Sequence, residues 1–106
     1  MSDPDDVQAR FSALRARFAA SLRERLDRLA ALVAAAREGS PEGLAEAMVL
    51  AHRLAGTAGS FGHVEAGEAA AVLEDALRRI SEGSADPSTW DQAVAALARA
   101  RAVVAC

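Results

Sequence analysis

Two histidines, one cysteine and a scatter of carboxylates are the side chains of this chain that titrate most readily into nucleophiles, acids or bases. His52 stands out by its setting: Leu50–Gly62 reads Leu-Ala-His-Arg-Leu-Ala-Gly-Thr-Ala-Gly-Ser-Phe-Gly. On a helix of 3.6 residues per turn, Ala45, Met48, Val49, Ala55, Gly56 and Gly59 fall within about 60° of His52. Leu50, Leu54 and Phe61 point to roughly the opposite side. His52 should therefore face solvent among small or apolar neighbours, where another protein can approach it closely. An imidazole with an ordinary pKa of about 6.5 is mostly neutral at pH 7 and offers a nitrogen lone pair. A lone helical histidine is more often structural than reactive, so residue type alone does not decide its role.

Other chemistries fit less well. A metal centre needs several converging ligands, such as histidines at i and i+4. His52 and His63 are separated by glycines, and Cys106 is distant in sequence, so no metal site is expected. Phosphate-loop, nucleophile-elbow and His-Glu-x-x-His motifs are all missing. A chain of 106 residues has no room for an ATP-binding kinase domain, and the chain is not expected to be an enzyme in its own right.

The elements that must position His52 read as helices. Asp3-Pro4 suits a helix start, with Asp5 and Asp6 favourable in the first turn. From Phe11 an apolar stripe steps through Leu14, Phe18, Leu22, Leu26, Leu29 and Val33 to Ala36. Gly39-Ser40-Pro41 is the strongest punctuation: a C-terminal glycine, an N-cap serine and a proline at the first helical position. The helix after it carries His52. Gly56, Gly59 and Gly62 are costly in a helix, about 1 kcal/mol each relative to alanine. Gly59 and Gly62 read as packing or stop residues. Gly56 reads equally as a packing residue or as a gap in the exposed face beside His52.

A further helix has Ala69, Leu73, Ala76, Leu77 and Ile80 as its apolar arc and stops at Gly83. Glu74 lies at the edge of that arc; on position alone it is a solvated carboxylate pairing with Arg78 at i,i+4. Asp75 and Glu68 read as surface charge. After a loop, Asp86-Pro87 or Thr89 with Gln92 starts a last helix with Trp90, Val94, Leu97 and Val104 on one side. Trp90 reads as a packing residue and His63 as a surface or helix-start residue.

Composition agrees with an all-α domain. Of 106 residues, 28 are alanine and only 4% are aromatic, and helix formers dominate. A net charge of −3 argues against a nucleic-acid partner. One cysteine allows no internal disulfide, which suits a reducing compartment. No leader-like segment or run of about 18 apolar residues is visible, so a soluble cytoplasmic monomer without membrane contact is expected. The initial Met favours a free-standing protein.

The pattern His-x-Leu-x-Gly-(Ser/Thr)-Ala-x-x-(apolar)-Gly resembles the phosphoacceptor helix of histidine-containing phosphotransfer (HPt) domains of bacterial two-component phosphorelays. His52, Leu54, Gly56, Thr57, Ala58 and Gly62 match in register. Where the family usually has a lysine three residues after the histidine, this chain has Ala55, and Arg53 lies about 100° away around the helix.

The resemblance implies an antiparallel up-down-up-down four-helix bundle with a short N-terminal capping helix, a single domain over 1–106. The expected helices are approximately 4–20, 21–38, 41–60, 64–82 and 88–104, with a bend near Ala20–Leu22. It implies that His52 accepts a phosphoryl group from a receiver-domain aspartyl phosphate and passes it to another receiver aspartate. It also makes Glu74 the acceptor that orients the imidazole. Expected partners are receiver domains of response regulators or a hybrid histidine kinase. The chain would bind no cofactor, with Mg²⁺ residing on the receiver. Docking would use Met48, Val49, Arg53, Ala55, Gly56 and Gly59 with a strip of the first bundle helix. The alternatives are a bundle of the same kind that binds a receiver or kinase without carrying phosphate, towards which Ala55 points, and a structural dimerisation bundle.

Overall fold

Nothing between Pro4 and Gly39 can end a helix: the stretch holds no glycine and no further proline, and alanine, leucine and arginine fill it. The computed structural model describes residues 4–105, with the side chains of 6–104, and there this stretch is one helix, α1, Pro4–Arg37. The expected capping helix over 4–20 and the bend near Ala20–Leu22 are thus corrected to a single uninterrupted element. The Asp3 cap and Cys106 lie outside the described residues.

Gly39, at φ 107°, ends α1 in a backbone region that side chains disfavour. Its N–H donates to Ala36 and that of Ser40 to Ala35, which satisfies carbonyls left open at the helix end. Ser40 then caps α2, Pro41–Thr57, its Oγ accepting from the Gly43 N–H at 3.0 Å. A 3₁₀ turn, Gly59–Phe61, extends α2, and Gly62 at φ 86° closes it. The expected helix to residue 60 is therefore α-helical only to Thr57. Val64–Ser81 forms α3, and Pro87–Ala105 forms α4. Asp86 heads α4, accepting from the hydroxyls of Thr89 and Ser88. Those bonds, the Thr89 one foremost, hold its carboxyl below the usual 3.8.

Short turns make sequential helices antiparallel neighbours, and α1 also packs on α4, which closes the four-helix bundle. Among the described residues no strand occurs, and no helix is long and apolar enough to cross a membrane. Leu22, Leu26, Leu29, Val33, Leu54, Leu73, Leu77 and Ile80 form the bulky core. Among the described residues, eleven of the 22 buried apolar side chains are alanines; these small residues let the helices approach closely. Trp90, Leu97 and Val104 are buried as expected, but Val94 is exposed, because Ala93, Ala96 and Ala100 supply that turn of the α4 interface.

The start of the α1 stripe is also corrected. Its first members, Phe11 and Leu14, are 61% and 50% exposed, as is Val7 before them at 54%, since α1 runs past the bundle end there. A 34-residue helix is about 51 Å long, and the molecule measures 58 × 20 × 20 Å.

Candidate functional site

His52 sits on the outer face of α2, with Ala51 and Leu54 beside it in sequence turned fully into the core. That burial fixes the rotation of α2 and leaves the imidazole 76% exposed. Glu74 rises from α3, between the buried Leu73 and Ala76, and its side chain is 22% exposed. The His52 Nδ1 and the Glu74 Oε2 are 2.8 Å apart. A carboxylate can only accept, so Nδ1 carries the proton and donates it. In the neutral ring this puts the lone pair on Nε2, away from Glu74. The i,i+4 partner considered for Glu74, Arg78, does not hold it; the i,i+4 ion pair on α3 is Arg79 with Asp75, at 3.3 Å.

One residue that permits this meeting escaped the sequence reading. A Cβ at Gly67 would lie 3.4 Å from the Gly59 nitrogen and 3.6 Å from both the Ala55 oxygen and the Ala58 Cβ. A residue no larger than alanine here lets α3 lie directly against the end of α2. Glu74 follows Gly67 by two turns on the same face of α3, so the spacing that Gly67 sets brings the carboxylate to His52. The signal was present as an isolated glycine inside a helical pattern.

The expected docking residues divide into two groups. Val49, Arg53 and Gly56 are exposed around His52, with Val49 51% exposed. Met48 and Ala55 are half-buried and pack against the core, as their position on the α3 side of α2 requires. Gly56 has nothing within 4 Å of where a Cβ would stand, so helix packing does not explain it. The same is true of Gly59, for which packing or a stop was expected and which begins the 3₁₀ turn just past the end of α2; Gly62 does serve as a stop. On the α1 side a groove of about 350 Å³ runs beside His52, with Leu32, Val49 and Leu50 in it and Arg28, Glu46 and Arg53 around them. Arg28 and Glu46 bridge it at 3.3 Å. The α1 members, Arg28 and Leu32, could not be named from the sequence, because only the antiparallel register across Gly39-Ser40 places them opposite α2.

His63 starts α3, where its carbonyl accepts from the Gly67 N–H and its ring packs on Phe18 at 5.7 Å between centroids. Phe18 in turn stacks on Phe61 at 4.1 Å, closing the end of the bundle. Among the described residues, no three of His, Cys, Asp and Glu converge as a metal-binding group.

The arrangement can present an oriented, exposed imidazole to a second protein. Comparison with known proteins leads to the same chemistry. No curated protein and no solved structure matches the chain. The family model of the Hpt domain matches residues 13–103, from the first third of α1 to the last turn of α4. This 106-residue chain therefore belongs to the Hpt domain family, the phosphotransfer domains of two-component signalling that interact with receiver domains.

Proposed function

We propose that His52 is the phosphoacceptor, taking a phosphoryl group from a receiver-domain aspartyl phosphate and passing it to another receiver aspartate. The observation that carries this reading is the Nδ1–H bond to Glu74 at 2.8 Å on a ring left 76% exposed. In the step, the Nε2 lone pair forms the N–P bond as the P–O bond to the donor aspartate breaks. The aspartate leaves as a free carboxylate. The ring gains positive charge as it bonds to phosphorus, and the Glu74 carboxylate, still accepting from Nδ1–H, offsets it. Mg²⁺ and most stabilisation of the transferring group belong to the receiver.

The receiver would seat on the exposed collar of Val49, Arg53 and Gly56 and on the groove that Arg28 and Leu32 complete. An interface of this size is transient, and its rim charges select partners more than they add affinity. Because Gly56 projects no side chain, the receiver backbone can come close to Nε2. Ala55, in place of the family lysine, is short and half-buried, so Arg53 is the cation nearest to it in sequence on the exposed side.

The test is phosphate incorporation from a phosphorylated receiver, and from a small-molecule phosphoramidate, read by intact mass and acid lability. Wild type and His63→Gln should gain one acid-labile, base-stable phosphate, and His52→Gln none. If folded wild-type protein binds receivers yet gains no phosphate from any donor, the chain is a binding module and the proposal fails.

A further inference from the structure

The overhang of α1 carries an apolar seam that the bundle does not use. Val7, Phe11, Leu14 and Phe18 recur at spacings of four, three and four, and on an ideal helix they lie within an arc of about 60°. Phe18 is covered by Phe61 and His63, while Val7, Phe11 and Leu14 stand open past the bundle end. An arc this narrow is the two-per-heptad seam of a coiled coil. A helix that lies on a membrane or on a broad core needs an apolar face of about 100° or more.

The flanks of the seam say what kind of helix covers it. With Val7 and Leu14 at d and Phe11 and Phe18 at a, the e positions are Gln8 and Arg15 and the g positions are Arg10 and Arg17. Residues 7–18 hold three arginines and no acid, in a chain whose net charge is −3. Pairing two copies of the overhang, parallel or antiparallel, would set arginine against arginine at these positions, which opposes self-association. Arg15 also lies over the Phe11 ring at 6.0 Å, so its charge stands directly beside the seam.

We propose that the α1 overhang is a docking strand for an amphipathic helix of another protein, one with an apolar a/d seam and glutamate or aspartate at e and g. This surface lies at the Phe18 end of the bundle and shares no residue with the His52 site, so the inference stands independently of the relay reading. The open part of the seam, from Val7 to Leu14, spans about one heptad and makes a small contact, suited to reversible recruitment.

The test uses the full chain and two labelled, designed 21-residue helical peptides with leucine at a and d, one with glutamate at e and g and one with lysine there. Fluorescence anisotropy should show the glutamate peptide binding at least about tenfold more tightly than the lysine peptide, with binding weakened in high salt. The Phe11→Ser/Leu14→Ser variant should lose at least about tenfold in affinity for the glutamate peptide. It should still take phosphate at His52 from the small-molecule donor at the wild-type rate, since it changes exposed residues remote from that site. Equal binding of both peptides, or binding indifferent to Phe11 and Leu14, overturns the proposal. So does a wild-type dimer in sedimentation that the double variant abolishes, which would make the occupant a second copy. Phe11-dependent binding to phosphatidylglycerol vesicles without peptide binding would make it a membrane, with the same consequence.

Discussion

A histidine becomes a directed nucleophile only when something decides which nitrogen keeps the proton. Here that something is Glu74, a carboxylate held at the edge of the core, where it has fewer alternative positions than a free surface glutamate. Removing the acceptor with Glu74→Ala should leave stability within about 0.5 kcal/mol of wild type. The labelling rate at His52 should fall by about 10- to 100-fold, the loss typical when the hydrogen-bonding partner that orients a metal-ligating histidine is removed. Glu74→Gln keeps an oxygen that accepts from Nδ1–H, so it should lose much less. Initial labelling rates from the phosphoramidate donor measure both, and ¹⁵N chemical shifts of the ring report the tautomer. Equal rates in all three proteins would make the 2.8 Å bond a surface contact without consequence.

At the scale of elements, the site depends on how closely α3 lies against α2. Gly67 sets that distance, with backbone of the preceding turn 3.4 Å from its absent Cβ. Gly67→Ala should be accommodated, because its methyl meets ordinary contact distances and helix propensity improves by up to about 1 kcal/mol. Gly67→Leu should push the helices apart and cost about 1–3 kcal/mol. It should also slow His52 labelling by separating Glu74 from the ring. Urea unfolding followed by circular dichroism checks the first effect, and the labelling assay checks the second. If Gly67→Leu proved as stable as wild type, α2 and α3 would not need this close approach.

At the scale of the molecule, bundle and overhang should answer differently to the same kind of change. Leu29 has no exposed surface in a core where half of the buried apolar residues are alanines, so few neighbours can move in to fill a void. Leu29→Ala should therefore cost about 2–5 kcal/mol. Phe11→Ala removes a larger side chain from the overhang and should change stability by no more than about 0.5 kcal/mol. Chemical denaturation of the two variants compares them directly. Similar losses would mean that the overhang folds onto the bundle rather than extending beyond it. The radius of gyration, 15.7 Å, already exceeds the roughly 13 Å of a compact domain of this length.

Local chemistry was legible in the sequence. The Ser40 cap, the stop at Gly62, the apolar arc of α3 and the outward rotation of His52 all follow from neighbours within a few residues, where dihedral preference and the 3.6-residue period act directly. The partnership of His52 with Glu74 was available through family resemblance, but position on α3 alone favoured a pairing with Arg78. Its choice, the arrival of Arg28 and Leu32 beside α2, and the role of Gly67 depend on interhelical distance and register, which no single helix encodes. The course of α1 teaches the converse. Its unbroken run of helix formers described one continuous helix, and only the expectation of a capping helix put a bend in it. What the sequence could not show was where the bundle ends along that helix. The stripe from Phe11 to Ala36 looks alike throughout, and only the lengths of α2, α3 and α4 packed beside it decide which part becomes core and which stays open.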